Sequence, residues 1–92
     1  MPTSQQKRAG RELRYTLTLL LRGARRPMSV QEMARALHES GRPLQSRSGK
    51  VISDALRWEI ARGRVVKVRR STYATRPFPD STARWMRSQL NG

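Results

Sequence analysis

Apolar residues recur at helical spacing in four stretches of the chain, and an alternating pattern follows the third of them. In the first stretch, Leu13, Leu17 and Leu20 fall on one face at intervals of three or four residues. This spacing is typical of an amphipathic helix, whose apolar stripe returns about every 3.6 residues. The pattern predicts a first helix over 7–22, preceded by a flexible polar N-terminus over 1–6.

The second stretch begins with a strong helix-start signal. Ser29 and Glu32 stand three residues apart, just where the apolar periodicity resumes. In a capping box the serine accepts from the third residue's amide, and the glutamate accepts from the serine amide. We therefore expect a helix over 30–39, with Met28 forming a short strand before it. The segment 42–47 is interpreted as an ordered turn.

The third stretch predicts a helix over 48–62 with one apolar and one cationic side. Ser46 or Ser48 is expected to cap its start, and Gly63 to end it in a left-handed conformation. The predicted apolar side consists of Val51, Ile52, Ala55, Leu56 and Trp58, with Ile60 at its edge. The predicted polar side consists of Lys50, Ser53, Asp54 and Arg57.

One charge interrupts the apolar side of this third helix. Glu59 lies near the middle of that side, where burial of an unpaired carboxylate would cost several kcal/mol. The sequence therefore predicts an arginine partner for Glu59, with Arg14 and Arg64 as the two candidates.

Alternating β-branched residues follow Gly63 and predict a two-stranded hairpin. The first strand leads to a turn at 69–71, and the second strand runs over 72–75. Because alternate residues of a strand face opposite sides, only one set of side chains can enter the core. The side chains expected to face inward are Val66 and Val68, joined by Tyr73 or Ala74, of which Tyr73 is favoured. Those expected to face outward are Val65 and Lys67.

The C-terminal segment, 76–92, is predicted to be a proline-containing linker followed by a last helix. Asp80 or Ser81 is expected to cap this helix. Its apolar side consists of Trp85, Met86 and Leu90. That side can pack onto the first helix, or it can pair with a second copy of the chain as a homodimer interface, and both alternatives stay open here.

The charge balance indicates a polyanionic partner. The 92 residues include 20 Lys and Arg against 6 Asp and Glu, which gives a formal net charge of +14. Such a charge concentrates polyanions near the surface and speeds association with them. Nucleic acid is therefore the first expectation, although a GC-rich genome also raises the arginine content of proteins.

The reactive side chains argue against catalysis. The chain has no cysteine and a single histidine, His38, so no disulfide, thiolate metal site or cysteine nucleophile can form. The six carboxylates offer no evident acid–base pair, and the spacing of a phosphate-binding P-loop is missing. We expect no enzyme, no cofactor and no metal. Without a secretory signal or a membrane-length apolar run, a cytoplasmic location is expected.

Cationic and hydroxyl side chains on the third helix and the hairpin are suited to duplex DNA. Arginine and lysine donate to guanine O6 and N7, and a planar guanidinium suits phosphate or a narrow minor groove. The residues expected to contact DNA are Arg47, Ser48, Lys50, Ser53, Arg57, Lys67, Arg69 and Arg70.

The stretch 41–74 resembles the second half of the winged helix-turn-helix superfamily. The residues that carry the resemblance are Ala55, Leu56, Gly63, Val66, Lys67 and Val68, in that order. The form with Glu59 and Ile60 after Ala55 and Leu56, followed by a basic strand ending in Thr-Tyr-Ala, is similar to the HARE-HTH group. It also resembles small basic winged-helix proteins of actinobacteria.

The resemblance implies an α+β, mostly helical fold, in which a three-helix core and a β-hairpin wing occupy residues 7–75. Helix 48–62 would enter the major groove, and the wing, 64–75, would contact the backbone or minor groove. We therefore expect a double-stranded DNA-binding protein, either a transcription regulator or a nucleoid-associated protein. A basic protein-interaction adaptor and a duplex RNA-binding protein are the alternatives.

Overall fold

A computed structural model describes the backbone of residues 4–39 and 49–91 and the side chains of residues 10–39 and 49–90. The described chain is α+β and mostly helical, as predicted. Its helices are α1 (Ser4–Ala24), α2 (Val30–Glu39), α3 (Gly49–Ala61) and α4 (Asp80–Asn91). Its strands are β1 (Met28–Ser29), β2 (Val65–Arg69) and β3 (Thr72–Thr75).

The helix boundaries agree closely with the sequence pattern, with one clear difference. The prediction for α2 is confirmed at both ends, and α3 lies one residue inside each predicted end. By contrast, α1 begins at Ser4 and not at residue 7, because residues 4–6 contain no helix-breaking residue and extend a helix that is already nucleated. The predicted turn 42–47 and the predicted caps Ser46 and Ser48 lie outside the described residues.

The start of α2 is held by the predicted capping box. The Ser29 amide donates to Glu32 Oε1 at 3.0 Å, and the Glu32 amide donates to Ser29 Oγ at 3.1 Å. Arg26 adds an ion pair at 2.9 Å to the other carboxylate oxygen of Glu32. The hydrogen bond from the Ser29 backbone, followed by the one from Arg26, lowers the pKa of Glu32 below its ordinary value of 4.5.

This lowered pKa predicts a pH dependence of stability. Glu32 binds a proton more weakly in the folded chain, so its stabilising contribution is present above the unfolded-state pKa and disappears as the pH falls through the folded-state pKa. We expect the melting temperature of the wild type to fall more between about pH 6 and about pH 3 than that of Glu32→Gln. Thermal unfolding followed by circular dichroism measures this difference.

The matched control is Glu39→Gln, which removes an exposed carboxylate from the other end of α2. This variant is expected to retain the wild-type difference between the two pH values. Parallel behaviour of Glu32→Gln and the wild type would show that the capping box does not contribute to the acid sensitivity.

The sheet is antiparallel with the order β1-β3-β2, so the predicted short strand at Met28 pairs with the hairpin. Met28 lies opposite Tyr73, and Ser29 lies opposite Thr72. The pairing of β2 with β3 shifts by one residue between Lys67 and Arg69, which forms a bulge near the hairpin tip.

The predicted facing of β2 is wrong. Val65 is buried with 1% exposure, whereas Val66 and Val68 are 39% and 48% exposed. Tyr73 is buried as predicted, and it lies opposite Lys67, so Val65, Lys67 and Tyr73 share one face of the hairpin. Both phases of the strand contain valine, and a shift of one residue exchanges the two faces, so alternation alone could not decide between them.

The core lies between α1, α2, α3 and the sheet, and α4 covers one side of α1. Leucines and other large apolar residues fill the core: Leu13, Leu17, Leu21, Met33, Leu37, Ile52, Leu56, Val65 and Tyr73. Met86 of α4 is fully buried, and the Trp85 ring lies 5.3 Å from that of Tyr15. Thus α4 packs within the chain, and of the three residues predicted for a dimer interface only Trp85 and Leu90 retain exposed surface.

The start of α4 differs from the predicted side-chain cap. The Pro79 carbonyl accepts the Thr82 amide at 3.0 Å, which begins the helix. The Asp80 carboxylate accepts instead from Arg22 of α1. Asp80, one of the two predicted capping residues, therefore ties α4 to α1.

Candidate nucleic-acid interface

The polar side of α3 is exposed at three of its four predicted residues. Lys50, Asp54 and Arg57 are exposed, and Ser53 is half-buried. The Arg57 side chain is 81% exposed, and its Nη2 atom lies 3.9 Å from Asp54 Oδ1. A long contact between exposed charges contributes little, so it leaves the Arg57 guanidinium available to a partner. Two further predicted contacts, Arg47 and Ser48, lie outside the described residues.

The C-terminal end of α3 closes in the geometry predicted for Gly63. The Gly63 φ angle is +75°, the left-handed region that glycine adopts without steric cost. The Gly63 amide donates to the Ile60 carbonyl at 3.0 Å, and the Arg64 amide donates to the Glu59 carbonyl at 3.0 Å. These two bonds form a Schellman motif, which sets the direction in which the chain enters β2.

Glu59 is fully buried and has both predicted arginine partners. Arg64 donates from Nε to Glu59 Oε1 at 2.9 Å and from Nη2 to Oε2 at 3.0 Å. Arg14 Nε lies 3.9 Å from Oε2, and Thr18 Oγ1 donates to Oε1 at 2.9 Å. We call these four residues the Glu59 cluster. Because it joins α1, α3 and the first residue before β2, it holds α3 and the hairpin in one orientation.

The hairpin tip presents two adjacent arginines on an ordered turn. Arg69 and Arg70 are exposed, and Lys67 on the preceding strand is exposed as well. Ser71 has a φ angle of +55°, and its carbonyl accepts the Val30 amide at 2.9 Å. This bond fastens the tip to the start of α2, so the two guanidinium groups extend from a fixed support.

Trp58 lies outside the core, contrary to the prediction. It is 58% exposed, because the buried strip of α3 runs through Leu56 and Glu59 and leaves Trp58 at its flank. The Arg14 guanidinium lies 5.6 Å from the Trp58 ring centroid, within the range of a cation–π contact. Trp58 also lines a groove of about 530 Å³ between α1 and α3, beside the polar side of α3. The sequence had already assigned Glu59 to the buried side of α3. That assignment was the clue that the neighbouring Trp58 would lie at the edge of this side.

Comparison with protein-family models, with curated proteins and with solved structures gave no match. Among the helices that the structure describes, none is both long enough and apolar enough to cross a membrane. The described side chains also include no group of three or more His, Asp or Glu that could hold a metal ion.

Most of the positive charge is not neutralised by ion pairs within the described part of the chain. Five arginines lie within ion-pair distance of a carboxylate: Arg14, Arg22, Arg26, Arg57 and Arg64. The described basic side chains without such a pair are Arg11, Arg25, Arg35, Lys50, Arg62, Lys67, Arg69, Arg70, Arg76, Arg84 and Arg87. These groups are available to attract and bind a polyanion.

Proposed function

We propose that the protein binds double-stranded DNA as a winged helix-turn-helix, acting as a transcription regulator or a nucleoid-associated protein. In this proposal α3 enters the major groove, and the β2–β3 hairpin contacts the backbone or the adjacent minor groove. The order of elements, α1-β1-α2-α3-β2-β3, and the pairing of β1 with β3 support this assignment of fold. The function rests on the site, since a fold by itself does not specify one.

The observation that carries the proposal is the rigid connection between two exposed cationic elements. Lys50 and Arg57 project from α3, and Arg69 and Arg70 project from the hairpin tip. The Glu59 cluster joins the end of α3 to the start of the hairpin. In this proposal a duplex meets both elements without ordering either at the moment of binding. An α-helix with its side chains is about 10–12 Å across, which fits a major groove about 12 Å wide.

The same observation favours DNA over the alternatives. The major groove of duplex RNA is too deep and narrow for a helix to read, so α3 would have no role there. A protein partner would not require arginines at the hairpin tip, whereas DNA phosphates bind planar guanidinium groups in a bidentate manner.

Loss of the tip arginines tests the proposal. For the wild type, we expect the logarithm of duplex affinity to fall with the logarithm of salt concentration with a slope of about −4 to −7. In Arg69→Ala/Arg70→Ala, the loss of two phosphate contacts should flatten this slope by about two. Fluorescence anisotropy with a random DNA duplex of about 20 base pairs, over a salt series, measures both slopes.

Two controls make the result specific. Arg84→Ala/Arg87→Ala removes the same charge from the exposed surface of α4 and should leave the slope close to that of the wild type. A matched RNA duplex should bind more weakly than the DNA. Equal binding to both duplexes, unaffected by the tip substitution, would contradict the proposal and favour the protein-interaction adaptor.

A further inference from the structure

A second cationic cleft lies between the end of α1 and the segment that joins β3 to α4. Its volume is about 500 Å³, and Arg22, Arg25, Arg76, Phe78 and Asp80 are among the residues that line it. We call it the α1–α4 cleft. None of the described residues that line it belongs to the polar side of α3 or to the hairpin tip.

The α1–α4 cleft is separated from the hairpin tip along the hairpin, and from the contacts with α3 along α1. The Arg76 amide donates to the Arg64 carbonyl at 2.9 Å, which places Arg76 at the open end of the hairpin. The five residues of β2 then separate it from the tip by about 16 Å. Along α1, seven residues separate Arg25 from Thr18, which donates to Glu59 of α3, and they span about 10 Å of helix. The α1–α4 cleft therefore lies at the open end of the hairpin, away from the tip.

The cleft has excess positive charge. Arg22 is neutralised by Asp80, and its guanidinium lies 5.2 Å from the Phe78 ring centroid. Arg25 and Arg76 make no ion pair within the described residues. Two guanidinium groups without a counter-ion therefore face one cleft, and this arrangement suits a phosphate, which accepts several N–H donors at once.

The backbone of Arg25 has a conformation that glycine favours. Its φ angle is +56°, and its amide donates to the Leu21 carbonyl at 3.3 Å, so Arg25 is the left-handed residue that terminates α1. Glycine occupies such a position without steric cost, whereas a side chain is strained there. Strained residues of this kind are concentrated at functional sites. Arg25 therefore occupies a position that glycine would fill at lower cost, and its side chain lines the cleft.

We propose that the α1–α4 cleft binds the phosphate backbone of a second DNA duplex, so that one protein molecule bridges two duplexes. This inference rests on the proposed function, because the first duplex must occupy α3 and the hairpin tip. The inference assigns two pairs of arginines to two different duplexes. Arg69 and Arg70 hold the first duplex, and Arg25 and Arg76 hold the second.

The test uses Arg25→Gly/Arg76→Ala in two assays. In the first, anisotropy measures affinity for one short duplex, which we expect to change by less than about twofold. In the second, a bead-bound duplex captures a fluorescent duplex in the presence of the full chain, and we expect capture to fall at least about tenfold. The control Arg84→Ala/Arg87→Ala removes the same charge and should capture as the wild type does.

Every outcome of these assays decides the inference. Unchanged capture by the variant, or a wild type that binds one duplex without capturing a second, would overturn it and leave the proposed function intact. An equal loss of single-duplex affinity and of capture would show that the cleft contacts the first duplex, and this result would also overturn the inference. A wild type that binds no duplex at all would instead refute the proposed function.

Two further measurements address the fold and the source of the phosphate. The single variant Arg25→Gly should melt at an equal or higher temperature than the wild type, because glycine relieves the strain at this position. A lower melting temperature would assign Arg25 to the fold and overturn the inference. Titration with inorganic phosphate alone should not shift the wild-type melting temperature. A shift that Arg25→Gly/Arg76→Ala abolishes would identify a site for free phosphate in place of a duplex.

Discussion

Replacing Arg64 with leucine is expected to lower the free energy of unfolding by about 3–5 kcal/mol. The substitution removes both short hydrogen bonds to the fully buried Glu59 carboxylate and leaves Arg14, at 3.9 Å, as its nearest cation. A buried charge that loses its partner retains the cost of desolvation without the compensating attraction. Urea denaturation followed by circular dichroism measures the change. The same variant should also loosen the hairpin relative to α3.

Two comparisons test this explanation of the Arg64 effect. Arg62→Leu removes an exposed arginine two residues earlier and should change stability by no more than about 0.5 kcal/mol. Glu59→Leu/Arg64→Leu should recover part of the loss, because apolar side chains can replace a buried ion pair at little cost. In that double variant Thr18 still has the Arg14 carbonyl, at 2.8 Å, as an acceptor. A loss below about 1 kcal/mol for Arg64→Leu would show that Arg14 and Thr18 suffice for Glu59.

Reversing the charge of α3 with Lys50→Glu/Arg57→Glu is expected to lower affinity for a DNA duplex by about 100-fold or more. Two base or phosphate contacts, each worth about 1–3 kcal/mol, are lost, and two carboxylates then face the phosphates. Both native side chains are exposed, and the Arg57 contact with Asp54 is long, so the fold should be unaffected. Anisotropy at fixed salt measures affinity, and thermal unfolding checks the fold.

A matched charge reversal separates local contact from overall charge. Arg84→Glu/Arg87→Glu on α4 changes the net charge by the same amount and is expected to lower affinity far less. An equal loss in both variants would attribute binding to the overall charge of the protein. Full affinity in Lys50→Glu/Arg57→Glu would remove α3 from the interface and favour a protein partner.

The features that the sequence predicted correctly depend on residues close together in the chain. The capping box of Ser29 and Glu32 lies within four residues, and the observed bounds of α2 follow it. Gly63 ends α3 through hydrogen bonds that span only five residues. Glu59 needed a cation because its place on the apolar side of α3 is set by helical periodicity. Arg64, its strongest partner, stands five residues away.

The site was predictable to the same extent. Lys50 and Arg57 are exposed as the helical period of α3 requires, and Arg69 and Arg70 are exposed because they occupy a hairpin turn. The DNA contacts assigned to these residues remain predictions. Their common orientation could not be read from the pattern, because it depends on hydrogen bonds that Thr18 and Arg64 make to one carboxylate.

The amino-acid sequence by itself determined the order and type of the helices and strands, the capping box of α2, the glycine that ends α3, and that Glu59 needs a cationic partner. Only the tertiary structure decided that Val65 and not Val66 enters the core, that Trp58 stays exposed, and that Arg25 and Arg76 share a cleft. The physical reason is the range of the interactions. Helical periodicity and helix caps involve residues only a few positions apart. The facing of a strand and the lining of a surface cleft depend on contacts between segments that are distant in the sequence. One alternating pattern is compatible with more than one strand register, so the pattern alone cannot choose the face that enters the core.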